Sequence, residues 1–76
     1  METISQIARE IKKEWKPLYF AAVPYVNAML EINSIDDTYG VESARGMVRG
    51  FLTNAQTWRG PKAREIKLKL NNLLKK

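Results

Sequence analysis

The side chains able to do chemistry are few in kind. The 76 residues include no Cys and no His, so thiolate nucleophiles, disulfides and imidazole-based acid–base or metal chemistry drop out together. Eight carboxylates, thirteen Lys and Arg and three Tyr remain. The densest acidic group, Asp36, Asp37 and Glu42, could in principle hold a divalent cation, but it lacks the ligand spacing and the Gly of an EF-hand loop. Lying just before and inside the first turn of a helix, these acids suit the positive end of its dipole instead. No phosphate-binding Gly loop and no nucleophile motif occurs in the chain. The expectation is a non-enzymatic protein with no cofactor and no metal.

The cations offer more. The net charge is +5 and it is unevenly spread: residues 17–44 carry four acids and no base, while residues 59–76 carry seven bases and one acid, Glu65. A basic end of this kind favours encounters with nucleic acid or an acidic partner. In a helix-turn-helix, the second helix enters the major groove by its N-terminal end. Here that would present Lys62, Arg64, Glu65 and Lys69, with Arg59 on a phosphate. The same residues equally describe a solvated basic face on an ordinary helix.

A second candidate is the pair Gly46 and Gly50, which falls away from the apolar stripe of its helix although each Gly costs about 1 kcal/mol there relative to Ala. Small residues four apart let another backbone come close, and Arg45, Arg49 and Thr53 border them. Two readings stand: an exposed partner-binding face, which would also serve a homodimer, or an internal face covered by a neighbouring helix. The aromatics Trp15, Tyr19, Tyr25, Tyr39 and Trp58 form a third group. They could stack on single-stranded bases, but Trp15 and Trp58 each extend an apolar stripe, which favours core or core-edge positions.

Four helices must position these groups. Thr3-Ile4-Ser5-Gln6 fits a capping box, followed by Ile4, Ile7, Ala8, Ile11 and Trp15 on one face with Arg9, Glu10, Lys12 and Lys13 opposite, so helix 1 covers about 3–15 and stops before Pro17. Residues 18–32, nearly all apolar, read as a buried central helix kinked at Pro24 or beginning there. Residues 33–40 read as a loop. Val41, Ala44, Val48, Phe51, Leu52 and Ala55 give helix 3 over 41–57. Trp58-Arg59-Gly60-Pro61 gives a short turn with Gly60 as N-cap and Pro61 at the first helical position. Ala63, Ile66, Leu70, Leu73 and Leu74 give helix 4 over 61–75. The expected fold is a single all-α domain, 1–76, a small bundle with Phe51 in its core.

Three runs in this chain, Ala22-Val23-Pro24-Tyr25, Asp37-Thr38-Tyr39-Gly40 and Phe51-Leu52-Thr53-Asn54-Ala55-Gln56-Thr57-Trp58-Arg59-Gly60, resemble a group of short uncharacterised proteins encoded by phages and prophages of Gram-positive bacteria. The similarity covers most of the chain. It implies a genomic setting and no particular activity. The opening Met-Glu-Thr-Ile-Ser-Gln is acidic and polar where a signal peptide would be basic and then apolar, and no apolar run reaches membrane-spanning length. The expectation is a cytoplasmic accessory protein that binds a host or phage protein and no membrane, with a DNA-binding helix-turn-helix as the alternative.

Overall fold

A computed structural model describes residues 3–75, apart from the side chain of Tyr39, which lies outside the described residues although it belongs to the aromatic set above. The chain runs through α1 (Ile4–Glu14), a single 3-10 turn (Phe20–Ala22), α2 (Val23–Met29), a minimal hairpin of β1 (Thr38–Tyr39) and β2 (Glu42–Ser43), then α3 (Ala44–Thr53) and α4 (Pro61–Leu74). This is the expected small all-α bundle, with one two-residue hairpin added. Among the described residues no helix is long and apolar enough to cross a membrane.

α1 begins as its residues dictate. The Thr3 hydroxyl accepts from the Gln6 N–H and the Gln6 side chain accepts from the Thr3 N–H, so two orphan amides of the first turn are satisfied. Ile4, Ile7, Ala8 and Ile11 are buried on its inner face. α4 starts at Pro61 behind Gly60, whose φ of +116° is open to glycine and strained for other residues.

The middle of the chain departs from the periodic reading. Residues 18–32 do not form one buried helix kinked at Pro24; the alternative, a helix beginning there, is the one found, since α2 is short and takes Pro24 into its first turn, where the missing N–H costs nothing. Pro24 and Asn27 face solvent, and Tyr19 and Phe20 lie on the 3-10 approach, where no continuing helical face carries them inward. α3 likewise begins at Ala44, not at residue 41, because Ser43 caps it by accepting from the Gly46 N–H at 3.0 Å. Val41 thereby leaves the apolar stripe and stands fully exposed at the hairpin tip. Its neighbour Gly40 has φ +63° while Val41 keeps a negative φ. That is the pattern of a two-residue type II′ loop with Gly first, and it pairs Thr38 with Ser43 and Tyr39 with Glu42. α3 ends at Thr53, and residues 54–57 form turns before Trp58.

α2 packs against α1 and α3, and α4 packs across the same two helices. The core between them centres on Phe51, Val48, Ile66, Leu70, Val26 and Met29. Trp15 and Trp58 stack with ring centres 5.1 Å apart and planes within 5°, and Phe51 meets both rings edge-on. This aromatic trio ties the end of α1 to the end of α3 and the entry to α4.

Candidate functional site

The glycine face on α3 is a junction between helices at one end and a surface at the other. A Cβ built on Gly50 would run into the ring of Tyr25 from α2, so at Gly50 the internal of the two readings holds and the face is filled from inside the protein. At Gly46 a Cβ would meet the capping Ser43 hydroxyl at 3.3 Å. Arg45 also serves the fold. Its guanidinium donates to the carbonyl of Leu74 at the end of α4 (3.0 Å) and reaches Asp36 in the loop (3.6 Å), matching a cation to a helix C-terminus. Arg49 and Thr53 remain exposed.

Thr53 leads to a feature that sequence periodicity missed. Together with Asn54, Gln56 and Thr57 from the end of α3 and Tyr19 from the α1–α2 connection, it lines a shallow recess of about 200 Å³. The floor is uncharged and polar. Beside it Phe20 is 78 % exposed and Tyr19 42 %, their rings edge-to-face at 5.0 Å. Two exposed aromatics next to a row of hydrogen-bonding side chains form a surface of the kind enriched at protein interfaces.

The basic set divides into two groups. Lys62 lies 3.7 Å from Glu10 and 3.5 Å from Glu65, and Lys69 lies 3.3 Å from Glu10 and 3.9 Å from Glu65. These two lysines therefore sit in a network of alternating charge that bridges α1 and α4. Arg59 and Arg64 lie elsewhere. With Trp58, Gly60 and Lys67 they line a recess of about 210 Å³ at the turn into α4, and among the described residues neither Arg pairs with a carboxylate. Lys67, which the sequence reading did not single out, closes this group by donating to the Trp58 carbonyl at 2.6 Å. Partial burial, with the nearby Arg59 charge second, lowers its pKa from the ordinary Lys value. The signal was the three-residue spacing of Arg64 and Lys67, which places both on one face of α4.

Two elements of the helix-turn-helix reading are affected. α3 stops at Thr53, so the connection is the seven residues 54–60, longer than the three- or four-residue turn typical of that motif. Trp58, only 7 % exposed and stacked on Trp15, presents no free face to a base. The acids are spent on structure as well: Asp37 accepts from the N–H groups of Asn33 (2.9 Å) and Ser34 (3.0 Å), while Asp36 meets Arg45. Compared with known proteins, the chain matches no family model, no curated protein and no solved structure.

Proposed function

We propose that this chain is a non-enzymatic accessory protein of the phage type, acting in the host cytoplasm, that docks on a host or phage protein through the Tyr19–Phe20 shelf and the recess bordered by Thr53. The observation that carries this reading is the exposure of Phe20. The protein buries Phe51 and Trp58 completely or nearly so, yet holds another large aromatic out in water against a second one. Aromatic anchors surrounded by polar rims contribute most of the energy at many protein interfaces. Arg49, exposed one helical turn before Thr53, adds a charge-bearing edge to the same side.

A DNA-binding helix-turn-helix built on α3 and α4 is the second reading, favoured by Arg59 and Arg64, which meet no carboxylate among the described residues. The pairing of Lys62 and Lys69 with carboxylates and the long connection weigh against it. A homodimer through the α3 glycines ranks lower, since Tyr25 already occupies Gly50.

The test is affinity capture from lysate, with and without nuclease treatment, using the wild-type protein, Phe20→Ser and Tyr19→Ser, each first checked for an unchanged melting temperature. A protein captured by the wild type and lost with both variants supports the reading. Equal capture by all three would sink it. Capture that disappears on nuclease treatment alone would promote the DNA reading.

A further inference from the structure

We propose that the recess at the turn into α4 binds a phosphomonoester dianion, held by Arg59, Arg64 and Lys67. The site lies apart from the Tyr19–Phe20 shelf and goes beyond the docking function. Its basis is the way the protein distributes its charges. Of the five cations between residues 59 and 69, Lys62 and Lys69 each lie within 4 Å of two carboxylates. The other three converge on one concavity with no carboxylate against Arg59 or Arg64 among the described residues. Gathering three like charges around a recess is unfavourable until an anion enters, and a bound anion converts that repulsion into attraction.

The walls are built for a small anion. Lys67 is fixed by its bond to the Trp58 carbonyl, which uses one of the three ammonium donors and leaves two for a ligand. Arg59 and Arg64 are exposed and bring planar forks that match phosphate oxygens in pairs. Trp58 is held from behind by Trp15, so it shapes the wall and cannot sandwich a base. Gly60 leaves open space where a side chain would stand, and the first turn of α4 has no side-chain cap. Its amides therefore add to the positive potential without competition.

Charge and neighbours select the ligand class. A carboxylate or a phosphodiester brings a single charge, whereas a phosphomonoester carries between about 1.5 and 2 at neutral pH. A long polyanion would need further cations alongside, and the other cations between residues 59 and 69, Lys62 and Lys69, are already committed to Glu10 and Glu65. The shared chemistry is that of a terminal phosphate, whether free, on a nucleotide or on a phosphorylated side chain.

The experiment is an NMR titration of the intact protein with inorganic phosphate, a nucleoside 5′-monophosphate, a phosphoserine peptide and a phosphodiester, at constant ionic strength set with chloride. Saturable shifts should appear at the Gly60, Lys62 and Arg64 amides and the Trp58 indole for the monoesters, and the diester should bind roughly tenfold more weakly. The relative affinities of inorganic phosphate and the two monoesters identify the natural source. Arg59→Gln/Arg64→Gln should weaken monoester binding by at least about tenfold, while Lys62→Gln/Lys69→Gln should leave it within about twofold. All four positions are at the surface, and circular dichroism verifies that both double variants fold. Linear shifts matched by chloride would overturn the proposal. So would equal losses in the two double variants, or duplex DNA binding that outcompetes the monoesters at physiological salt, since each would assign the charge to a general basic face.

Discussion

The ring of Tyr25 on α2 lies across Gly50 of α3, and the missing side chain at that position is what lets the two helices close. Gly50→Ala should therefore destabilise the protein by about 1–3 kcal/mol through overpacking, read as a lower midpoint in urea with an unchanged slope. Gly46→Ala should stay within about 1 kcal/mol of wild type, because the gain in helix propensity offsets a slight crowding of the Ser43 cap. Adding Tyr25→Ala should erase the difference between the two glycine variants, since the ring is the object the methyl meets. Equal stability of the single variants would mean that the ring swings aside at no cost.

The readable parts of this fold are those decided by neighbours in sequence. The capping box at Thr3–Gln6 and the Gly60-Pro61 start of α4 follow from local hydrogen bonding and fixed backbone angles, and both stand where the residues put them. Val41 shows where periodicity fails. It lies three residues before Ala44, as a helical stripe requires, yet Gly40 ahead of it makes a hairpin turn and Ser43 behind it makes a better cap. Local turn chemistry won over spacing. The binding surfaces were only half legible for another reason: Thr53, Arg59 and Arg64 could be named, and the spacing of Lys67 from Arg64 was readable, but Tyr19 joins Thr53 and Arg59 joins the α4 pair only through the packing of separate segments. Which lysines are neutralised depends on Glu10, more than fifty residues away in the chain.

Phe51 is fully buried and touches both tryptophan rings edge-on, at 6.3 and 6.4 Å between centres. Phe51→Ala should cost about 3–5 kcal/mol, a large share of what a domain of this size possesses. Near-ultraviolet circular dichroism should lose the tryptophan signal before helix content falls, because the Trp15–Trp58 stack leans on this ring. A variant that keeps both signals and its melting temperature would remove Phe51 from the centre of the core.

Glu10 holds Lys62 and Lys69 across the α1–α4 junction with both lysines partly exposed. Glu10→Gln should change stability by less than about 1 kcal/mol, since exposed ion pairs contribute little net energy. Its larger effect should be electrostatic. Removing the Glu10 charge takes one acidic neighbour from each lysine, so duplex DNA binding should strengthen at low salt and its salt dependence should steepen. Unchanged binding by fluorescence anisotropy across a salt series would show that the Glu10 pairs do not restrain this face.

Asp37 joins the start of α1 to the start of α3. Its carboxylate accepts from the N–H groups of Ser34 and Asn33. The carbonyl of Asn33 accepts from the Ile4 N–H at 3.0 Å, and the carbonyl of Asp37 accepts from the Ala44 N–H at 2.9 Å. The backbone bonds from Ser34 and then Asn33 hold the carboxyl below its ordinary value of 3.8, since they favour the ionised form. For a group whose folded pKa is depressed, the stabilisation is present above the unfolded value and disappears as pH falls through the folded one. The wild-type melting temperature should therefore decline below about pH 4 more steeply than that of Asp37→Asn, which keeps an acceptor but has no charge to lose. At neutral pH the wild type should be the more stable of the two. Hydrogen exchange offers a local readout, because the Ile4 and Ala44 amides should lose protection together on acidification. Parallel acid profiles for the two proteins, with those amides unaffected, would show that the bonds to Asp37 do not hold this junction.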